Sequence, residues 1–418
     1  MLVILLLLAG QGIAQIRINS PYTRYGLGML VELGLEPRPN GMGGIRFGLQ
    51  RPDLINTANP ASYVAFDTAS FIFDAGVFGS VVDVRTDQLA EKGSYISLSH
   101  LLFGFPVTGW WKTSIGVLPF SYVGYDIYNN EYIENIGQAR FVYQGSGGLN
   151  QLYWGNAFRI TSHLSAGFNL KYIFGSIYRS KGVTFPDSVA MKNTFVRGSI
   201  APSDFYGDIG FQYKGTVLKD YYFVAGLTFG PQVKIHSKAN YLSSTYFGDI
   251  NAAVYYRDTI EYEQDKAGTF VIPLRTGAGV TFGKQNNWMA GADFMWQNWE
   301  KYVLYGEPDS LLNAWHISAG GEYIPNHRSI SSYFQRMSFR LGFHYGKTPL
   351  YLQNKHIDEV GISFGLGFPI RKSRTTVNAS CELGKRGTTN YGLIRENYIR
   401  FTLGVNVFEN WFTKSKYF

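Results

Sequence analysis

The chain has 418 residues, of which 17% are aromatic and only 16% are charged, and its formal net charge is +8. Soluble domains typically carry about a quarter charged residues, so this composition is atypical of a soluble enzyme. The positive charge is spread thinly, without a basic helix or stripe, which argues against a nucleic-acid partner. The single cysteine, Cys381, excludes an internal disulfide framework and a cysteine-based zinc site.

The N-terminus begins with an apolar run from Leu2 to Ala9, and small residues follow it up to Ala14. This pattern is typical of a secretory signal peptide, so we predict a signal at 1–14 and a mature chain that starts at Gln15. No later run approaches the roughly 18 apolar residues of a transmembrane helix. An exported chain of this kind can still cross a membrane as a β-barrel.

Residues 15–69 are rich in glycine and proline and have no steady hydrophobic period. They cannot form one helix or one strand, because proline removes a backbone donor and glycine weakens either structure. A long array of strands follows this irregular segment. We therefore predict that 15–69 is a plug inside the lumen of a closed barrel.

From residue 70 to the C-terminus the chain alternates between apolar and polar residues. In the last strand Phe401 and Leu403 share one face, whereas Arg400 and Thr402 share the other. This alternation predicts an all-β fold, a 14-stranded antiparallel transmembrane β-barrel with an N-terminal plug. The predicted strands are 71–84, 95–107, 111–126, 138–160, 164–178, 194–215, 221–237, 268–283, 288–302, 314–324, 336–347, 357–369, 375–385 and 396–409.

The connections between these strands alternate in length. Short links, such as 108–110 and 161–163, alternate with longer ones, such as 127–137 and 238–267. Short periplasmic turns and longer outer loops give this parity in a bacterial outer-membrane barrel whose termini are both periplasmic. A soluble sandwich would also alternate along its strands, but it has no reason to keep the parity.

Short motifs resemble those of a known family. The run Gly41-Met42-Gly43-Gly44, followed by Asn59-Pro60-Ala61 before the first strand, resembles the N-terminal hatch of the FadL-like outer-membrane transporters. The opening from Ser20 to Gly28 and the ending from Asn410 to Tyr417 resemble the Bacteroidota branch of that family. The similarity in layout spans the whole chain.

The resemblance implies uptake of hydrophobic small molecules, with lateral release through a kink in the third strand. That strand carries Pro119, which cannot donate to the sheet ladder, so it is either a lateral gate or a simple bulge. The hatch and gate residues implied are Gly43, Gly44, Asn56, Asn59, Pro60, Ala61 and Pro119.

The same fold also serves barrels that do not transport, among them shuttle or anchor barrels of the type IX secretion system. The alternative function is therefore a structural or interaction subunit of an outer-membrane secretion or barrel-assembly complex. The expected partners are outer-membrane lipids, together with a hydrophobic ligand under the first function or other complex subunits under the second.

The alternation places a polar network on the lumen face, made of Asp293, Glu322, Arg340, His316, His344, Glu359 and Arg400. Folding the chain about the turn at 325–335 puts His316 opposite His344, with Glu359 beside His344 on the next strand. Such a group could bind a metal or titrate as a latch, or it could be unrelated wall residues. We assign no metal and no cofactor.

Catalysis is not expected. Ser99 and His100 are adjacent in the second strand, which predicts that they face opposite sides of the wall. The run Gly145-Ser146-Gly147-Gly148 lacks the lysine and the helix that a phosphate-binding loop needs. We therefore predict that the protein is not an enzyme.

Overall fold

A computed structural model describes residues 20–186, 191–218, 220–247, 257–309, 311–371 and 373–410. Fourteen antiparallel strands form a closed barrel, and the ladder closes where Ser70 pairs with Asn410 and Arg85 with Arg395. The predicted fold class and strand number are confirmed. The strands are β1 Ser70–Arg85, β2 Ala90–Pro106, β3 Trp111–Ile133, β4 Gly137–Arg159, β5 Leu164–Thr184, β6 Asn193–Pro202 with Asp204–Leu218, β7 Tyr221–Gly230 with Val233–Tyr246, β8 Arg257–Ile272 with Arg275–Lys284, β9 Trp288–Gln297, β10 Ala314–Tyr323, β11 Ser338–Leu352, β12 Lys355–Pro369, β13 Thr376–Gly387 and β14 Arg395–Asn410.

The barrel wall has an apolar outer face and a polar inner face. On β14 the side chain of Phe401 is 56% exposed on the outside, while that of Thr402, directed inward, is 2% exposed. A strand turns successive side chains to opposite faces, so the period of two in the sequence becomes an apolar surface for lipid and a polar lumen. None of the helices in the described ranges is both long and apolar enough to span a membrane.

The two ends of the barrel differ. At the short-turn end, the turns after β2, β4 and β6 are tight, and Trp110, Trp111 and Phe158 pack against one another. At the opposite, long-hairpin end the strands continue beyond their predicted bounds. The loops expected at 85–94, 127–137 and 348–356 are mostly strand, and only 86–89, 134–136 and 353–354 remain as turns. The long connections of the predicted pattern are therefore mostly extensions of the paired strands, and not irregular loops.

Strands β6, β7 and β8 are each interrupted once at a similar level. The interruptions fall at Ser203, at Pro231 with Gln232, and at Pro273 with Leu274. Gly230 pairs with Arg275 on one side of the gap, and Val233 pairs with Ile272 on the other. Because proline has no N–H to donate, these two prolines end the ladder locally.

The N-terminal segment, defined here as residues 20–69, lies inside the barrel. Every residue from Leu35 to Gln50 is buried. The segment contains a helical turn at Pro37–Asn40 and a 3₁₀ turn at Pro60–Ala65. Its apolar side chains, such as Ile55 and Tyr63, pack against inward-facing residues of the wall.

Several predictions concern residues outside the described ranges. They are the signal peptide at 1–14, Trp411, and the C-terminal motif beyond Asn410. The division of the chain at residues 14 and 69 also stays a prediction.

Candidate functional site

The glycines of the N-terminal segment allow its backbone to touch the wall. Gly43 has a φ of 71°, and a Cβ built on it would lie 2.6 Å from the carbonyl oxygen of Phe343. Its N–H donates to Ser363 Oγ at 2.8 Å. Only glycine fits both the left-handed conformation and this close approach. Gly44 follows with a φ of 85°.

Two asparagines fix the path of the segment. Asn56 Nδ2 donates to the backbone oxygens of Arg46 and Leu49, at 2.6 and 2.9 Å. Asn59 Nδ2 donates to Phe47 O at 2.8 Å, and its Oδ1 accepts from the N–H of Ala61 at the start of the 3₁₀ turn. These bonds satisfy buried backbone groups that no regular helix or strand would satisfy.

The turn that follows Asn59 rests directly on the wall. A Cβ on Gly167 of β5 would lie 2.7 Å from the carbonyl carbon of Pro60, and Ala61 is fully buried. The structure thus brings the sequence-predicted residues Asn56, Asn59, Pro60 and Ala61 together in the lumen.

A buried ionic cluster ties the segment to β10 and β11. Glu322 accepts hydrogen bonds from Arg38 Nε at 3.1 Å, Arg51 Nη1 at 3.0 Å and Arg340 Nε at 2.7 Å. Asp53 pairs with both Arg38 and Arg51. Burial would raise the pKa of Asp53, but the two arginines hold it below its usual range. The sequence correctly placed Glu322 and Arg340 on the lumen face.

The segment's own charges were missed by the sequence reasoning. Arg38 and Arg51 each stand next to proline in an otherwise apolar and glycine-rich stretch, and that was the available signal. Charged side chains rarely stay buried unless they are paired, so charges in a predicted plug require partners on the wall. Asp293 is a further anchor, since its carboxylate accepts the N–H groups of Arg46 and Phe47.

The wall is split between β2 and β3. These strands pair from Pro106 with Lys112 up to Leu101 with Val117, and the ladder between them stops there. Beyond that level β2 remains paired with β1, and β3 with β4. Each strand also carries an extra residue near the fork, Ser99 in β2 and Phe120 in β3. Two bulges and a proline at one level make the strands diverge.

The split leaves an unpaired edge on β3. The N-terminal segment covers the part of this edge that is nearest to the fork, as far as Gly124. Met29 pairs with Tyr122 and Leu30 with Ser121 as a short antiparallel strand, and Ser20 N donates to Gly124 O at 2.9 Å. Tyr122 bridges the split itself, because its hydroxyl donates to Leu98 O on β2 at 3.4 Å. Pro119 therefore lies where the β2–β3 ladder ends, and the N-terminal segment fills this gap from inside the barrel.

The bulge at Ser99 overturns one sequence prediction. Because the extra residue shifts the alternation, Ser99 and His100 both face inward. Ser99 Oγ lies 2.6 Å from His100 Nδ1, and His100 Nε2 lies 2.9 Å from Asp74 Oδ1. This is the order of side chains found in serine hydrolases.

The hydrogen bonds of these three side chains indicate a structural role. Ser99 Oγ donates its own hydrogen to Leu35 O of the segment at 2.7 Å, and Asp74 on β1 contacts the other side of the His100 ring. The serine is 1% exposed and the histidine 0%. A substrate cannot reach the hydroxyl, so the group fastens the segment to β1 and β2.

The two predicted histidines and Glu359 line one small cavity without binding one another. His316 is opposite Gly346, and His344 is opposite Ser318, two residues from the predicted register. Glu359 is opposite Gly346, not beside His344. The expected facing of the two histidines was wrong because the last pair before the connection, Tyr323 with Phe339, centres it on residue 331 and not on 330, and a one-residue error in the centre moves the pairing by two residues.

His316 and Glu359 each contact other residues, and His344 Nε2 lies 3.8 Å from Glu382 Oε1. His316 Nε2 lies 2.7 Å from Glu32 Oε2 of the segment. Glu359 accepts from Arg386 and from the Tyr398 hydroxyl, both at 2.7 Å. Arg400 pairs with Glu382. Within the described ranges no group of three histidine, cysteine or carboxylate side chains could hold a metal ion.

Little open space remains in the lumen. Three interior cavities of about 80, 60 and 50 Å³ surround the stretch from Leu30 to Leu35. Pockets that bind small molecules usually have volumes of about 300–1,000 Å³. A larger hollow of about 530 Å³, lined by residues such as Ile177, Tyr241 and Tyr305, opens at the long-hairpin end.

Solved structures with the same fold include channels for hydrophobic compounds. The barrel is similar to the Ralstonia pickettii toluene transporter TbuX (13% identity, TM-score 0.60), with 90% of this chain and 98% of that chain covered. It is also similar to a Pseudomonas aeruginosa FadL homologue (12% identity, TM-score 0.62; 92% and 100% covered). The CymD monoaromatic hydrocarbon channel is a third such structure (14% identity, TM-score 0.54; 90% and 98% covered).

These likenesses confirm the FadL-like fold and, with it, an outer-membrane barrel; at such low identity they show no shared substrate. No curated protein matches the sequence significantly. A family model described as BamG matches residues 1–418, the whole chain. The chain therefore belongs to the BamG family.

Proposed function

We propose that this barrel is a non-transporting structural subunit of an outer-membrane complex, and that it acts by binding other proteins. The observation that carries the proposal is the filled lumen. Every residue of the segment from Leu35 to Gln50 is buried, and the three cavities around Leu30–Leu35 have volumes of only about 80, 60 and 50 Å³. In this proposal residues 15–69 are a fixed hatch and the barrel is a scaffold.

The anchors of the segment support a fixed hatch. Arg38 and Arg51 reach Glu322, Ser99 reaches Leu35, and Glu32 reaches His316, so these anchoring contacts lie on β2 and β10. Removing one partner of a buried ion pair typically costs about 3–5 kcal/mol. Release of the segment would break several such contacts at once.

The orientation is part of the same proposal. The short-turn end would face the periplasm together with both chain termini, and the long-hairpin end would face outward, as is usual for bacterial barrels. The paired hairpins would then form the outer surface of the subunit. Membership of the Bacteroidota branch and a link to type IX secretion stay predictions from the sequence.

Purification of the tagged chain from its native outer membrane, with mass spectrometry of proteins and lipids, tests the proposal. We expect stoichiometric partner proteins and no bound small amphiphile. A lone barrel that carries a fatty acid or a similar molecule would refute it.

The split between β2 and β3 favours a second function, passage of small hydrophobic molecules with lateral release. A toluene transporter and a hydrocarbon channel share the fold. Under this function the Tyr122 side chain, packed against Phe78 with ring centroids 5.7 Å apart, would close the exit.

Uptake of a small aromatic compound into proteoliposomes distinguishes the two functions. Transport predicts uptake by the intact chain and faster uptake by Tyr122→Ala, with Tyr262→Ala as the control because Tyr262 on β8 is exposed and lies away from the split. The scaffold function predicts no uptake by the intact chain.

A further inference from the structure

Between Tyr125 and Ile133, toward the long-hairpin end, strand β3 has one free edge within the described part of the chain. From Tyr125 to Ile133 its residues pair with β4, from Gly145 to Gly137. On its other side, the described part of the chain supplies pairing only as far as Gly124, through Ser20 and the short strand at Met29–Leu30. A sheet edge with unpaired N–H and C=O groups is a template for another strand.

The strand geometry identifies the unpaired groups. Gly124 directs both its N–H and its C=O away from β4, toward Thr23 Oγ1 and Ser20 N. Alternate residues of a strand direct these groups to the same side, and the register with β4 is unbroken from Ser121 to Ile133. The free groups therefore belong to Asp126, Tyr128, Asn130 and Tyr132.

This edge lacks most of the usual protection against pairing. Natural edges carry charged residues, especially lysine, or proline or a bulge, or are covered by other parts of the chain, and here the charged residues are Asp126 and Glu131. Between Tyr125 and Ile133 there is no lysine, no proline and no bulge. Tyr128 and Tyr132 are 64% and 79% exposed, so the strand also offers aromatic surface.

We propose that this edge binds an extended segment of a partner protein, which adds to the barrel sheet as a strand. The partner strand continues the pairing that Met29 and Leu30 begin on the same edge, so main-chain hydrogen bonds supply most of the affinity. The proposal rests on the scaffold function above and names its contact surface.

Charge indicates the chemistry of the partner. The stretch 125–137 carries Asp126, Glu131 and Glu134 and has no lysine or arginine, although the chain as a whole has a net charge of +8. Opposite charges across paired strands are favourable and like charges are not. The docking strand is therefore expected to carry lysine or arginine and to lack acidic side chains.

Site-specific crosslinking in living cells tests the proposal. A benzoylphenylalanine replaces Tyr132 on the free edge or, as the matched control, Tyr262 on β8, which is 61% exposed at the same end of the barrel. We expect crosslinks from position 132, and not from 262, to one segment of another protein that contains basic residues.

Asn130→Pro and Asn130→Ala provide the second comparison. Both remove the side-chain bond from Arg140, but only proline removes the N–H on the free edge. Loss of one such hydrogen bond should lower the crosslink yield by about fivefold for Asn130→Pro relative to Asn130→Ala. A charge reversal, Glu131→Lys, should also lower it.

Three results would overturn the proposal. They are crosslinks from position 132 to residues 15–19 of the same chain, crosslinks to a second copy of the chain, and equal yields for the two Asn130 variants. If partners still co-purify in these cases, the scaffold function stands and only the docking edge is wrong. Absence of any partner would refute the scaffold function itself.

Discussion

At the scale of single residues, a few buried contacts hold the N-terminal segment in the lumen. Glu322 is 4% exposed and accepts hydrogen bonds from three arginines, two of the segment and one of the wall. An arginine left without a carboxylate in such a site keeps its charge, because its guanidinium does not deprotonate in proteins. The cluster is therefore sensitive to loss of its one shared acceptor.

Glu322→Gln should lower the free energy of unfolding by about 3–5 kcal/mol, since Arg340 loses its carboxylate partner and Arg38 and Arg51 are left to share that of Asp53. Urea unfolding of the barrel in detergent micelles, followed by the shift in gel mobility, measures this. Glu263→Gln is the control: Glu263 pairs with Lys266 on the surface, where such pairs contribute less than about 1 kcal/mol. Equal effects of the two changes would show that the buried cluster does not hold the segment.

Gly43→Ala should also destabilise the protein, through a clash of the new methyl group with the backbone of β10 and β11. Gly306→Ala is the matched control, because Gly306 has a φ of 89° but no atom within 4 Å of its Cβ position. The control reports the cost of the left-handed backbone alone, about 1 kcal/mol. Similar unfolding midpoints for both variants would contradict the close contact at Gly43.

At the scale of elements, the split in the wall is the feature that sets β2 and β3 apart. It arises where the bulge at Ser99, the bulge at Phe120 and Pro119 coincide, and the segment's short strand at Met29–Leu30 occupies the exposed edge. In a barrel, an unpaired edge must be covered or lie in a water-filled space. The fork therefore depends on several residues and on the segment together.

Pro119→Ala should leave the split open, because both bulges and the inserted strand remain. Hydrogen exchange of the amides of β2 between Tyr95 and Ser99 should be the same in this variant and in the unchanged chain. The amides of Leu101 and Phe103, within the paired part of the ladder, serve as the internal reference. If the amides between Tyr95 and Ser99 exchanged more slowly in the variant than in the unchanged chain, the proline alone would hold the strands apart.

At the scale of the whole molecule, the barrel is a closed wall around a filled lumen. Its outer surface suits lipid, while its inner face is matched to the N-terminal segment by Asp293, Glu322 and Ser363. We expect a barrel with this interior not to conduct ions, because the buried N-terminal segment occupies the lumen and leaves cavities of only about 80, 60 and 50 Å³ around Leu30–Leu35.

Planar-bilayer recordings of the purified chain should therefore show no steady conductance. Glu322→Gln should give intermittent openings, because the segment is held less firmly. The surface variant Glu263→Gln should remain silent. A steady current through the unchanged chain would refute the closed lumen.

The sequence by itself determined the barrel. Alternation with a period of two, the parity of the connections and the absence of a long apolar run were sufficient for strand number and fold class, since each strand reports its own two faces. The glycine- and proline-rich stretch before β1 likewise indicated an irregular segment that needs partners. These signals are local in the sequence, so they can be recognised without knowledge of the fold.

Only the tertiary structure decided which residues meet. The bulge at Ser99 reversed the predicted faces of Ser99 and His100, and a two-residue difference in register separated His316 from His344. Register and bulges depend on pairing between strands, and the alternating pattern repeats every two residues, so the sequence cannot distinguish neighbouring registers. Arg38 and Glu322 are likewise brought together only by the closed barrel, since they are 284 residues apart in the chain.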